Sequence, residues 1–256
     1  MSIDDANYKK CIKCNEIKHI DLFANLTRSL DGKTNTCKKC HNLSKKEWLK
    51  NNPDKHQIRK NKCRVKEKER RKVTRDIVIK EYGSKCECCG EDNVLFLAID
   101  HIDGGGRKQR LELNLGGSGI VDLVNRENFP KNKYRLLCHN CNSSHGYYGY
   151  CPHNGICYIR KYKNERSYYE HKRRVRARLL VINAYGGKCE CCGEDFYEFL
   201  TIDHKDNSGK QHRDEIGINT TYFWLIKNSY PKDRFRLLCH NCNYTKSHYG
   251  SCHTEK

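Results

Sequence analysis

Apolar residues along this chain come in short runs separated by long polar and basic stretches. Leu95-Phe96-Leu97-Ala98-Ile99 and Phe199-Leu200-Thr201-Ile202 predict short strands, each delivering an Asp-His pair to its end. Tyr134-Arg135-Leu136-Leu137 and Phe235-Arg236-Leu237-Leu238 predict strands that run into a Cys-x2-Cys motif. Between them, Ile120–Val124 and Tyr222–Ile226 predict short helices that close before Pro130 and Pro231. Residues 44–82 predict a basic helix broken near Pro53, with Val73, Ile77 and Ile79 entering a core. Residues 158–185 repeat that arrangement, basic first and then apolar through Leu179, Leu180, Val181 and Ile182.

These paired elements belong to a duplication. Residues 82–110 and 185–213 are identical at 18 of 29 positions, and 129–153 and 230–254 at 13 of 25. Both copies carry Y-G-x-K-C-E-C-C-G-E-D and R-L-L-C-H-N-C-N, so the units arose by tandem duplication. The stretch between the blocks, 111–128 against 214–229, is two residues shorter in the second copy, as a loop tolerates.

Composition narrows how such units can be stable. With 256 residues, an apolar fraction of 36% and 18 cysteines, the chain predicts two or three small domains that need staples beyond hydrophobic burial. The cysteines fall in C-x2-C pairs, a metal-clamp spacing rather than a disulfide scaffold. No apolar signal core opens the sequence, and no run approaches the ~18 apolar residues of a membrane span. The expectation is a reducing intracellular compartment, the cytoplasm, that of a virus-infected host cell included, with no membrane partner.

The formal charge of +19 is concentrated. Residues 45–82 hold 15 basic and 6 acidic side chains, and 160–178 hold 9 and 2. A charge run can be a solvated helix face, but two runs, each leading into a cysteine module, favour a polyanion partner. Arg70, Arg71, Arg173 and Arg174 lie in these runs. Arg107, Arg110, Arg135, Arg213 and Arg236 are candidate phosphate contacts near the Asp-His pairs.

Three paired C-x2-C sets predict structural zinc: Cys11, Cys14, Cys37 and Cys40; Cys86, Cys89, Cys138 and Cys141; and Cys189, Cys192, Cys239 and Cys242. Four thiolates close a tetrahedral shell and leave no open position for catalysis. Cys88 and Cys191, inside the pairs, read as bystanders. Cys63, Cys151, Cys157 and Cys252 show no consistent partner pattern, although His145, Cys151, His153 and Cys157 form a conceivable small site. Asp100-His101 with Asn142, and Asp203-His204 with Asn243, remain outside the sulfur shells. Carboxylate and amide oxygens are hard ligands suited to magnesium or manganese, and a neutral imidazole can take a proton from water. Each histidine can alternatively be a spare ligand or a satisfied structural residue.

The succession C-x2-C, I-D-H, L-L-C-x2-C-N resembles the zinc-bearing branch of the HNH (ββα-metal) endonuclease superfamily, most closely the phage recombination endonuclease VII group, over 82–153 and 185–254. The resemblance implies Asp100 with Asn142, and Asp203 with Asn243, as ligands of a catalytic divalent cation, and His101 and His204 as general bases. It departs from the family in carrying two units on one chain. The middle Asn of the HNH pattern has only Asn114 and Asn219 as candidates. Three residues past the terminal Asn stand His145 and Lys246, where the family often has Lys. The expected fold is a set of small α+β zinc-stapled modules: an N-terminal four-cysteine ribbon or treble-clef knuckle (1–44), a basic helical linker (45–81), an HNH-like unit (82–157), a second basic linker (158–184) and a second HNH-like unit (185–256). The expected activity is divalent-metal-dependent cleavage of duplex or branched DNA, with RNA a further possible partner. Two rivals stand beside it: a non-catalytic zinc protein that binds DNA or RNA, and a protein-interaction module, which would leave the charge unused.

Overall fold

A computed structural model describes residues 7–116, 119–154, 162–217 and 220–250. Two compact units divide the chain, Met1–Arg70 and Arg71–Lys256. Both repeats lie in the second. Each unit is small and mixed α+β.

The first unit contains two hairpins, β1 (Tyr8–Lys10) with β2 (Ile17–His19) and β3 (Phe23–Asn25) with β4 (Lys33–Cys37), followed by α1 (Lys38–Asn51). Its buried apolar group is Phe23 with Cys11, Cys37 and Cys40, too little apolar surface to hold a fold alone. Helix α2 (Pro53–Glu81) begins at the proline expected to break the basic helix and runs into the second unit. Proline at a helix start costs nothing, because the amide it lacks has no intrahelical partner there.

In the second unit each repeat is a two-stranded antiparallel ribbon followed by a helix. In the first repeat β5 (Leu97–His101) pairs with β6 (Tyr134–Cys138), which leads into α5 (His139–Tyr148). In the second, β7 (Leu200–His204) pairs with β8 (Phe235–Cys239), leading into α9 (His240–Tyr249). Between the strands stand α3 (Gly106–Glu112) and α4 (Gly119–Arg126), and correspondingly α7 (Gly209–Ile216) and α8 (Thr221–Lys227). The linker helix α6 (Glu165–Ala184) starts at an Asn164 cap, whose side chain accepts from the Ser167 amide at 2.9 Å.

The strands extend through the Asp-His pairs, and α3 and α7 occupy part of what reads as loop in the sequence. The apolar face of α2 also differs from expectation. Val78 and Ile79 are buried with Thr74, while Val73 and Ile77 are exposed. Helical geometry puts 74 and 78 on one face, and that face meets Ile120, Leu123 and Val124 of α4 and Tyr134. On α6, Val181 and Ile182 are buried and Leu180 is exposed.

The repeats share one core, in which Ile79, Phe96, Leu97, Leu136 and Leu137 join Val181, Ile182, Phe199, Leu200 and Leu237. Their contact is reciprocal. The Asn140 amide donates to Asn241 Oδ1 at 3.0 Å, and the Asn241 amide donates to Asn140 Oδ1 at 2.9 Å. Residue i meeting j while j meets i is the signature of a two-fold interface, formed here within one chain. His139 stacks on Tyr244 beside it, ring centroids 3.8 Å apart. Corresponding arginines anchor each linker helix to its ribbon: Arg75 donates to the Leu97 carbonyl at 2.9 Å, and Arg178 to the Leu200 carbonyl.

Candidate functional site

The cysteine pairs converge as the spacing predicts. Three clusters, Cys11/Cys14/Cys37/Cys40, Cys86/Cys89/Cys138/Cys141 and Cys189/Cys192/Cys239/Cys242, each bring four sulfurs within 4.8 Å of one another. A fourth joins Cys88, Cys141, Cys151 and His153. All four can hold a metal ion. In the repeats the first pair lies in a tight turn closed by a glycine amide: Gly90 donates to the Cys86 carbonyl at 2.9 Å with φ 78°, and Gly193 to the Cys189 carbonyl at 3.0 Å with φ 80°. The second pair begins at the last strand residue, which also caps the helix. Cys138 Sγ accepts from the Cys141 amide at 3.5 Å, and Cys239 Sγ from the Cys242 amide at 3.4 Å.

The sulfur spacing fits a tetrahedral thiolate shell. Zinc–sulfur bonds of about 2.3 Å give edges of about 3.8 Å; the Cys89–Cys138 and Cys192–Cys239 separations are 3.9 and 3.8 Å. Clustering also drives thiol acidities apart. The Cys37 amide, 3.3 Å from Cys11 Sγ, holds that thiol down to about 6. Neighbouring Cys37 pushes the Cys40 thiol up to about 12. The Cys141 thiol is raised by Cys138, and that of Cys242 by Cys189. Four adjacent thiols cannot all ionise without a cation among them, so this donor set calls for one.

The Asp-His pairs are laid out identically in both repeats. Across the ribbon Asp100 faces Arg135 and His101 faces Tyr134; Asp203 faces Arg236 and His204 faces Phe235. Strand alternation sends the carboxylate and the imidazole to opposite faces. On the carboxylate face, Arg135 Nε lies 2.9 Å from Asp100 Oδ2 and Arg236 Nε 2.9 Å from Asp203 Oδ2. Lys246 Nζ reaches the same Asp203 oxygen at 2.7 Å. Lys246 stands three residues beyond Asn243 on α9, and both asparagines, Asn142 and Asn243, lie in the helix that follows their ribbon. The equivalent position on α5 is His145, whose pKa is lowered first by burial and then by the Arg135 charge.

On the other face, His101 Nε2 lies 2.7 Å from Gln109 Oε1, and Gln109 Nε2 donates to the Tyr134 hydroxyl at 2.9 Å. With Gln109 Oε1 as the acceptor, His101 Nε2 donates in this pair. In the second repeat His204 Nε2 meets His212 Nδ1 at 2.9 Å, and Trp224 packs edge-on against His212. Burial lowers the pKa of both imidazoles, followed by the His212 charge for His204 and the Arg234 charge for His212. A glycine passes close to each ring, with less room in the first repeat. A Cβ on Gly106 would stand 2.7 Å from His101 Nδ1, and one on Gly209 3.1 Å from His204 Nδ1.

Arg135 and Arg236 are therefore carboxylate partners in this structure rather than open phosphate contacts. Arg107, Arg110 and Arg213 are exposed on α3 and α7. Arg70 and Arg71 are exposed on α2, where Arg70 pairs with Glu67 at 2.9 Å. Arg173 lies over the Phe223 ring at 4.5 Å, and Arg174 Nε bonds the Glu170 carbonyl at 3.3 Å. Asn114 lies just past α3 with φ 50°, and Asn219 lies outside the described residues. Of the conceivable small site, Cys151 and His153 belong to the fourth cluster, joined by Cys141 and by Cys88, which reads as a bystander in the sequence; His145 does not belong to it, and Cys157 lies outside the described residues. Cys191, the counterpart of Cys88, is disulfide-bonded. Sequence reading passed over Gln109 and His212; their offset of eight from each Asp-His histidine, which puts each about one turn into the following helix, was the available signal. Among the described residues no helix is long and apolar enough to cross a membrane.

No family model, no curated protein and no solved structure matches this chain.

Proposed function

We propose that the chain is a divalent-metal-dependent DNA endonuclease with two HNH-like centres, braced by structural zinc at the cysteine clusters. The observation that carries this reading is the repeated carboxylate face. In both copies a ribbon aspartate pairs with the arginine opposite it, and the helix that follows the ribbon carries an asparagine directly after the last cysteine. Asp100 with Asn142, and Asp203 with Asn243, would hold magnesium or manganese through hard oxygens. To do so each carboxylate shares or releases its arginine, which then becomes available to a phosphate oxygen.

His101 and His204 stand at the ribbon ends. A phosphodiester laid across that end meets the carboxylate from one face and the imidazole from the other. There the imidazole takes a proton from water as the water oxygen bonds phosphorus and the P–O3′ bond breaks. A cation held by these oxygens would supply charge stabilisation at the leaving O3′, which takes up a proton from solvent. Gln109 and His212 fix the rings and, through Gln109 in the first repeat, the tautomer. The basic helices α2 and α6 supply phosphate contacts, so affinity falls steeply with salt.

The test is plasmid cleavage in magnesium against EDTA, with a His101→Ala/His204→Ala variant. Cleavage in magnesium, abolished in EDTA and in the variant while zinc and DNA binding persist, is the expected result. A second reading, DNA or RNA binding without cleavage, is favoured by one observation: Arg236 and Lys246 already neutralise Asp203. Survival of supercoiled, branched and single-stranded substrates at every metal, with salt-sensitive binding intact, decides for it.

A further inference from the structure

Two of the four metal-holding clusters are not independent. Cys141 belongs both to the set Cys86/Cys89/Cys138/Cys141 and to the set Cys88/Cys141/Cys151/His153. We infer that the first repeat holds a binuclear zinc centre in which the Cys141 thiolate bridges two ions, whereas the second repeat holds a single ion.

The geometry of the added site is that of a coordination shell. Zinc–sulfur and zinc–nitrogen bonds of about 2.3 and 2.0 Å give a tetrahedral S–N edge of about 3.5 Å. His153 Nδ1 lies 3.3 Å from Cys141 Sγ and 3.7 Å from Cys151 Sγ, bracketing that value. A buried cysteine is ordinarily a small hydrophobe, and Cys151 alone would need no other account. Here an exposed histidine turns its ring nitrogen onto three sulfurs.

The backbone is shaped to bring these donors in. Helix α5 ends at Gly149, in the left-handed region at φ 82°, which reverses the chain. Ser144 Oγ then ties the Tyr150 carbonyl to the helix at 2.6 Å, setting Cys151 at the core. A turn closed by the Asn154 amide on the Cys151 carbonyl, 3.3 Å, returns His153 toward the cluster. Cys88 arrives from the opposite side, inside the turn between Cys86 and Cys89. Seven side chains thus give two four-coordinate ions, with six thiols deprotonated and their protons released to solvent.

The second repeat departs at two of the corresponding positions. Cys191 is disulfide-bonded, and the position matching His153 is Thr254. One cluster is formed there among the described residues.

The inference rests on the reading of the cysteine clusters as zinc sites, and the experiment separates the two. Chelator-washed full-length protein is reconstituted with zinc and counted by native mass spectrometry, then exchanged with 113Cd for NMR. Four ions per chain are expected, with four thiolate-region cadmium resonances, two of them mutually split through Cys141. A Cys88→Ser/His153→Ala variant, which leaves every residue of the three four-cysteine sets in place, should bind three ions and show no splitting. Three ions in the unaltered protein overturn the binuclear centre but leave the three cysteine sites standing. Four ions with no split pair, or an unchanged count in the variant, overturn it equally. No bound ion at all overturns both readings.

Discussion

The two repeats share a frame and differ at its edges. Ribbon register, cysteine turns, carboxylate–arginine pairs and close-approach glycines correspond residue for residue. Around that frame, Gln109 becomes His212, Tyr134 becomes Phe235 and His145 becomes Lys246, while Cys88 and Cys191 differ in state. The positions held in common set the backbone and place the Asp-His pair. Those that differ tune how strongly a carboxylate or an imidazole is already engaged. A duplicated unit can thus keep its architecture through sulfur and ribbon pairing while its two sites diverge in strength.

Removing the shared frame should have the largest effect. Cys138→Ser or Cys239→Ser deletes a ligand from a site whose ion contributes on the order of 10 kcal/mol to folding. Because the repeats share one core, loss of either site should loosen both, read as a collapse of the cooperative thermal transition. Activity comes next. His101→Ala should lower magnesium-dependent cleavage about 10²-fold or more, the usual contribution of a general base. His204→Ala should lower it less, because Lys246 already competes for the Asp203 carboxylate. Lys246→His should narrow that gap, measured as single-turnover rates in variants carrying one intact site.

The reciprocal bonds between the repeats are smaller in effect. Asn140→Ala leaves the Asn241 amide without its partner, a loss of about 1–3 kcal/mol in denaturant unfolding. Asn241→Ala should match it, since the contact is nearly symmetric. The least expected effect concerns acid. Neutral His204 and His212 are favoured by the fold, so the native state binds fewer protons than the unfolded chain. Their stabilisation is present above the unfolded histidine value of about 6.5 and fades as pH falls through the lowered folded values. His212→Gln, which copies the first repeat, should flatten that decline, seen in melting temperatures from neutral pH downward.

Much of the frame was legible in the sequence because it depends on spacing. The C-x2-C pairs, the duplication, the Pro53 break and the strands into Cys138 and Cys239 all reappear. On α2 the expected Ile79 is buried, but Val78 takes the place expected for Val73 and Ile77, since the three are chemically alike and only tertiary contact decides which face is covered. Helices α3 and α7 were hidden by the glycine and polar residues that open them, features that read as loop until the close approach to His101 and His204 is known. Pairing of Arg135 with Asp100 follows from register, which a sequence does not print. The fourth cluster was legible only in its Cys151 and His153; Cys88 lies 65 positions from His153 with no repeated spacing between them, and Cys141 already had a place in another set.

The central claim is that each ribbon and its following helix present an oxygen-ligand site for an exchangeable cation, distinct from the sulfur clusters. Manganese EPR on zinc-loaded protein tests it directly. The account predicts manganese binding that is lost in an Asp100→Asn/Asp203→Asn variant with its zinc content unchanged. Equal manganese binding by the variant, or none by the unaltered protein, would contradict it.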